Sequence, residues 1–468
     1  MESPFERNET ELKALVDRFE EMLRANGSYF FDVEDFEDII DYYLDNQDAA
    51  RSKKAIDLAE AQHPGATGFM IKRAKYYVLA NKSAKAINLL EEVEKIDPTN
   101  GEIYLLKGSI YSKLKKYDDA IREYNKAVLY ASDLEEVYNN IAYEYENAGE
   151  YLKAIEYLKK ILELNPENEP AIFEIAFCYE VTNELEKAVE YFSSFLDKFP
   201  YSKVAWFNLG IAYNNLELFE KAIESYEFAI AIDETFSSAY FNLGNAYANL
   251  GEYHLSIKNY RETIKYEEPQ AITYYYIGEC FEKLGRYDEA IENYRLALDI
   301  DHEMSDAWMG MGVCYDELGD QKTAVKNMEK ALEYEDDNSE YWYIYGDLKN
   351  KLFDRESAAK AYEKVSALDP MHPDIWLDLS EIYFQDGEIR KAFDVMEEGI
   401  FQQPLNASQH YRMAGMLMLT GKHKQGLAEF AQGLELDFQK HPELFEFSPE
   451  LEYNAQIQEL IQVHYRKK

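Results

Sequence analysis

The sequence predicts an all-α solenoid of antiparallel helix pairs, and three observations carry that prediction. WFNLGIAY at 206–213 returns as YFNLGNAY at 240–247, a displacement of 34 residues. The same frame runs without an insertion from Val33 to Lys440, twelve units covering 408 of the 468 residues. Within each unit, small and large residues recur at the spacing two packed helices need. A chain of this length would otherwise suggest about three domains, but stacked repeats grow without forming separate cores.

The elements follow in order. Residues 1–32 read as an N-terminal capping helix, opening with Asn8 and Glu11 at capping-box spacing and stopping at Gly27. Units then begin at 33, 67, 101, 135, 169, 203, 237, 271, 305, 339, 373 and 407. In each, a first helix (A) carries a large residue at position 4, as Tyr104, Trp206, Tyr240 and Trp308 show. Position 8 is small, from Ala74 and Gly108 to Gly346 and Ala414. The second helix (B) is small at position 20, as at Ala222, and aromatic at position 24, as at Tyr226, Tyr260 and Tyr294. Glycine inside a helix costs up to about 1 kcal/mol against alanine, so a recurrent one implies close approach of A to B. A large side chain there would overpack the contact. Proline at position 32, as at Pro98, Pro166, Pro200 and Pro370, ends helix B and sets the turn. Residues 441–468 read as a C-terminal capping helix, opening at Ser448-Pro449-Glu450 and closing on Arg466, Lys467 and Lys468, which suit the helix dipole.

The pattern resembles the tetratricopeptide repeat, whose signature is W-x2-L-G-x2-Y, then A-x3-F, then P. The unit 203–236 supplies Trp206, Leu209, Gly210, Tyr213, Ala222 and Tyr226. Departures cluster at the ends, with Ile40 in the first unit and His410, Gly426 and Gly433 in the last, as capping repeats require. The resemblance implies a right-handed superhelix whose A helices line a concave groove. It also implies that ligands lie along that groove, facing positions 2, 5, 6, 9, 12 and 13.

Composition narrows the partner. The chain has 90 acidic and 49 basic residues, a formal net charge of −41, so phosphate backbones and anionic membranes are repelled. Neither nucleic acid nor membrane insertion is expected, since no 18-residue apolar run occurs and the N-terminus has no apolar leader core. The chain therefore reads as soluble and cytoplasmic. Cys178, Cys280 and Cys314 all fall at position 10 and form no C-x-x-C, which points to core packing and not to metal or redox chemistry. All four tryptophans fall at position 4 and are expected in the core. MGMGVCYDELG lacks the third glycine of a dinucleotide loop, and EYEDDNSE lacks the central glycine of a calcium loop. No catalytic motif is present, so no enzyme activity, cofactor or metal is expected.

The candidate binding residues lie at groove positions. Phe173, Phe207, Phe241 and Tyr275 form an aromatic row at position 5. Asn140, Asn208 and Asn242 at position 6, with Asn245 at position 9, offer amides that donate and accept, suited to a peptide backbone. These partly resemble the asparagine ladder of family members that grip extended chains, although neighbouring units could equally cover them. Beyond them the face turns acidic, with Glu279, Glu282, Asp316 and Glu317. Residues 271–338 hold 17 acidic against 6 basic residues. This stretch is either a solvated face or a track for a Lys/Arg-rich segment. The carboxylate clamp of some family members needs basic groove positions and is not expected here. The sequence thus points to a scaffold or chaperone-like adaptor for an extended basic or apolar polypeptide. A regulatory subunit of a separate enzyme and a passive scaffold binding through its convex face are the alternatives.

Overall fold

The computed structural model describes residues 9–25, 27 and 29–467, all in α- and 3-10 helices and their connections. The expected cap residue Asn8 and the terminal Lys468 lie outside the described residues. Two compact units divide the chain, one running to Glu234 and the other from Thr235.

In the first unit α1 (Glu9–Arg24) precedes six A/B pairs. These are α2 (Val33–Asp45) with α3 (Ala49–Gln62), α4 (Thr67–Leu79) with α5 (Ser83–Ile96), and α6 (Gly101–Lys113) with α7 (Tyr117–Ala127). Next come α8 (Leu134–Asn147) with α9 (Tyr151–Leu164), α10 (Glu169–Val181) with α11 (Leu185–Lys198), and α12 (Lys203–Asn215) with α13 (Phe219–Ile232). The second unit continues the frame with α14 (Ser237–Asn249), α15 (Tyr253–Tyr266), α16 (Ala271–Lys283), α17 (Tyr287–Ile300), α18 (Ser305–Glu317) and α19 (Gln321–Tyr334). Then follow α20 (Ser339–Lys351), α21 (Arg355–Leu368), α22 (Ile375–Gln385), α23 (Ile389–Gln402), α24 (Ala407–Leu419) and α25 (His423–Leu436).

Local chemistry explains these boundaries. Asp32, Asn100, Asp133, Asn168 and Ser202 each accept a backbone N–H of the first turn of an A helix, satisfying donors that lack an intrahelical partner. The A-to-B turn has one feature common to every repeat: position 15 adopts a positive φ, between 54° and 82°. Six of these residues are glycine, for which that conformation is free of Cβ strain. The others are Gln47, Asn81, Lys115, Asn183, Glu217 and Phe353.

Packing of A on B follows the expected complementarity. A Cβ built on Gly210, Gly244, Gly278 or Gly346 would lie 2.5–2.7 Å from the ring of Tyr226, Tyr260, Tyr294 or Tyr362 respectively. The glycine at position 8 is thus the hole into which the position-24 tyrosine fits. Position 7 departs from an apolar core twice. Arg73 bonds Glu60 and Asp57 at 2.7 Å, and Lys107, almost fully buried, pairs with Glu94 at 2.8 Å and Glu123 at 3.1 Å.

Two expectations are corrected. Only Trp376 of the four tryptophans is buried, while Trp206, Trp308 and Trp342 are half-exposed. All four indole N–H groups donate to the carbonyl six residues upstream, of Pro200, His302, Asp336 and Pro370, which holds each ring at the inter-repeat turn. Trp376 is covered there, with Gly399 packed against it. The C-terminal region, expected to form one capping helix, is broken into a 3-10 turn (Phe438–Lys440), α26 (Pro442–Phe447), a second 3-10 turn (Pro449–Tyr453) and α27 (Ala455–Lys467). Pro449 cannot continue a helix from α26, and Asn454 starts α27 by accepting the N–H groups of Gln456 and Ile457. α26 folds onto the A helix α24, where the Phe447 ring meets Gly415 and lies 5.7 Å from Phe384. With this cover added to its packing on α22, α23 and α25, eleven of the thirteen residues of α24 are buried.

Candidate functional site

The most open apolar surface on A helices of the first unit lies on α8 and α10. Phe173, Phe177, Val181 and Tyr143 are 40–57% exposed there, although aromatic and branched side chains favour burial. Tyr151 packs edge-on against Phe177 and leaves its other side open. Between α10 and α12 runs a cleft of about 510 Å³, lined by Phe173, Phe177 and Ile211 above and by Leu185, Ala188 and Phe192 below. A small residue at position 10 contributes to the opening. Position 10 is Ala212 in α12 and Ala246 in α14, where other repeats place Ile110, Cys178, Leu348, Ile382 or Met416. The polar lining is Glu174, Glu180, Asn208 and Asn215, and no basic side chain contributes.

The expected groove residues are distributed unevenly. Phe173 is exposed and meets the Phe207 ring edge-on at 6.2 Å, but Phe207 itself is only 6% exposed. Asn208 is 3% exposed, and its amide donates to the Val204 carbonyl one turn back at 2.8 Å. Asn242 does the same to Ser238 at 2.9 Å. Such back-bonding engages the donor on the residue's own helix. Asn140 is half-buried. Phe241 and Tyr275 are half-buried against Tyr260 and Tyr294.

One relation links these residues to the core. The position-24 tyrosine, seated under its glycine, passes its hydroxyl through to the groove side. Tyr260 donates to Asn245 at 2.6 Å, Tyr294 to Glu282 at 2.8 Å, and Tyr362 to Asp347. Tyr226 occupies the same place, but among the described residues its fully buried hydroxyl has no hydrogen-bond partner, and neither does the Asn214 carbonyl oxygen at position 12 of its repeat. The acidic stretch is similarly engaged: Asp316 pairs with Lys351 at 2.6 Å, and Glu317 accepts from Tyr287 at 3.4 Å. Burial raises the Glu279 carboxyl above its usual range, with Glu282 and Asp306 adding to the effect and Lys283 opposing it.

Electrostatics near the cleft are set chiefly by burial, with neighbouring carboxylates adding to it. Burial pushes the Glu146 carboxyl up to about 7, and the charge of Glu174 adds to this. The Cys178 thiol donates weakly to Glu146 and is itself pushed up to about 12, chiefly by burial. Cys280 and Cys314 are buried, and burial raises both. None is a ready thiolate. Among the described residues no cluster of His, Cys, Asp and Glu could hold a metal, and no helix is long and apolar enough to cross a membrane.

The residues that the sequence reading passed over are Tyr143, Phe177 and Ile211 at position 9, with Glu174 and Glu180. Their positions were among those expected to face a groove. The signal available was the run of apolar residues at position 9 in three successive units.

Sequence models of the tetratricopeptide repeat match residues 77–140, 135–168, 170–202, 204–236, 237–269, 271–304, 305–338 and 353–407. No curated protein matches the chain. Similar solved structures include a chain of the APC/C hetero-tetramer Cut9–Hcn1, 16% identical with a TM-score of 0.40, covering 87% of this chain and 94% of that one. A tetratricopeptide repeat protein from Parabacteroides merdae is 17% identical with a TM-score of 0.40, over 53% of this chain and 98% of its own. YrrB, described as a TPR protein with an unusual peptide-binding site, is 18% identical with a TM-score of 0.34, over 39% and 95%. With repeat matches spanning well over half its length, the chain belongs to the tetratricopeptide repeat family, whose arrays are scaffolds for protein–protein interaction.

Proposed function

We propose that this protein is a non-catalytic adaptor that holds an extended polypeptide, rich in basic and apolar side chains, against its A helices. The observation that carries the reading is the open face of α8 and α10, where the exposed rings of Tyr143, Phe173 and Phe177 adjoin a cleft lined by Glu174 and Glu180 and by no basic side chain. Apolar burial supplies affinity, at about 25 cal/mol per Å² before association costs, and the acidic field supplies selection and speed of encounter. Three unpaired, buried thiols suit a reducing compartment and support the expectation of a cytoplasmic protein.

The backbone-gripping role expected of the asparagines is weaker, because Asn208 and Asn242 direct their amides to their own helices. A second reading has an observation of its own. Ile96, Leu164, Ile300 and Leu368, all at position 30, are 42–64% exposed at the C-terminal ends of B helices, which favours binding along the repeat edges.

The test is titration of fluorescent extended peptides, basic-aromatic or acidic-aromatic, into wild type and into Phe173→Asp/Phe177→Asp. Selective binding of the basic-aromatic probe, lost in the variant, is the expected result. Equal binding to both proteins moves the site to the edges or the convex face.

A further inference from the structure

The chain carries its own example of how a segment docks on an A helix. Phe447, at the end of α26, seats its ring on α22 and α24 at repeat positions 6, 9 and 12. The Arg412 guanidinium (position 6) lies 4.2 Å over the ring, Phe384 (position 12) lies 5.7 Å away, and Gly415 (position 9) is the hollow that admits it. A side chain at position 9 would fill that hollow, since a Cβ on Gly415 would lie 2.6 Å from the ring. The docked segment is acidic, with Glu443 and Glu446 beside Phe447, and it meets a basic side chain at position 6.

The α10–α12 cleft differs at the equivalent positions: Asn208 of α12 stands where Arg412 does, Glu180 of α10 where Phe384 does, and Ile211 where Gly415 does. The opening lies instead beside Ala212, lined by Phe173 and Phe177 with Glu174 and Glu180, so the surface is acidic where the Phe447 site carries a base. At about 510 Å³ the cleft falls within the span of roughly 300–1,000 Å³ usual for ligand pockets. Its floor is the apolar surface of Leu185, Ala188 and Phe192, and its rim is acidic. Among the described residues, Glu180 has only the amide of Asn215, at 3.4 Å, as a side-chain hydrogen-bond neighbour. An acidic aromatic segment like that around Phe447 would be repelled here. One whose aromatic residue is flanked by lysine or arginine would place its ring on the floor and its cations on Glu174 and Glu180.

We infer that the α10–α12 cleft is an anchor pocket for one aromatic side chain of a partner polypeptide, flanked by Lys or Arg. The inference rests on the A-helix binding proposed above and adds to it a location and an anchor. The cleft acts as the buried centre of a longer contact, where truncation of an anchor has the largest effect.

The test uses the full chain and synthetic extended peptides carrying a central Arg-Phe-Lys, Arg-Ala-Lys or Glu-Phe-Glu, with fluorescence anisotropy as the readout. The Arg-Phe-Lys probe is expected to bind, and each of the other two about tenfold or more weaker. Ala212→Leu fills the hollow with a residue type that position 10 already accommodates at Leu348, and it is expected to weaken the Arg-Phe-Lys probe by about as much. Glu174→Gln/Glu180→Gln, which leaves the floor intact, is expected to erase the preference for Arg-Phe-Lys over Glu-Phe-Glu. Circular dichroism confirms that each variant is folded. Unchanged binding in both variants, with loss in Tyr143→Asp on α8 outside the cleft, overturns the cleft while the A-helix reading survives. Absence of binding of every probe to wild type overturns both. Tighter binding of a peptide spanning 441–454 than of Arg-Phe-Lys overturns the basic partner and assigns the cleft to a second copy of this chain.

Discussion

A single hydroxyl separates repeats that are otherwise alike. Tyr260, Tyr294 and Tyr226 fill the same hollow, but only the first two find an acceptor, Asn245 and Glu282. A buried donor without a partner carries its desolvation cost uncompensated, whereas a typical made bond contributes about 0.5–1.5 kcal/mol. Tyr226→Phe is therefore expected to leave stability unchanged or raise it by up to about 1 kcal/mol, and Tyr260→Phe to lower it by about 0.5–1.5 kcal/mol. Urea titrations of the two variants check this, and an equal loss in both would show that Tyr226 is bonded after all. Glu146 gives the pH counterpart. Its folded carboxyl lies near 7, above the unfolded value of 4.5, because burial and Glu174 disfavour the charge. A raised folded value means that the contribution is present below about pH 4.5 and is lost as pH rises through about 7. Glu146→Gln should thus gain stability over wild type at pH 8, on the order of 1 kcal/mol after solvent screening, and little at pH 5. Melting temperatures of both proteins at the two pH values test the sign.

At the scale of the element, helix pairing was legible because it is written in side-chain size. Gly244 had to be small, and the reason is the Tyr260 ring, 2.6 Å from where a Cβ would stand. Gly244→Leu should cost roughly 1–3 kcal/mol through overpacking, with amide exchange in α14 and α15 accelerated first. A wild-type exchange profile would refute the pairing. The turn was not legible in the same way. Position 15 is left-handed in all twelve repeats, but its residues include Lys115, Glu217 and Phe353 beside the glycines, so no residue type betrays it. The backbone geometry is imposed by the packed helices on either side. Phe353 is the case under most strain, a bulky aromatic at φ 61° whose side chain is 84% exposed and contributes little packing. Relief of Cβ strain is about 1–2 kcal/mol, partly offset by the extra freedom glycine gives the unfolded chain. Phe353→Gly should therefore raise the melting temperature, while Gly319→Phe, the reverse change at the same position, should lower it.

At the scale of the whole molecule, the frame and the charge were readable, and the burial of individual groove residues was not. Burial of Phe207 and Asn208 depends on which neighbouring side chains cover them, and the fold-back of α26 onto α24 has no counterpart in any repeat. The charge, by contrast, needs no coordinates. Even with every basic residue paired, 41 acidic groups remain without a counter-charge. Surface ion pairs such as Lys330–Glu333 or Lys360–Glu356 contribute about 0–1 kcal/mol each and are weakened by salt. Repulsion among the excess carboxylates is also screened, with a Debye length falling from about 30 Å at 0.01 M to about 8 Å at 0.15 M. Because the acids outnumber the bases so heavily, relief of repulsion should win, and the melting temperature should rise as sodium chloride is added over this range. Association with the Arg-Phe-Lys probe should respond in the opposite direction, since the same carboxylates attract it: salt should slow the on-rate and weaken the affinity. Thermal melts and stopped-flow binding in one salt series measure both. A melting temperature that falls with salt would mean that ion pairs dominate the fold. An affinity indifferent to salt would remove the acidic field from recognition and leave apolar burial as its sole source.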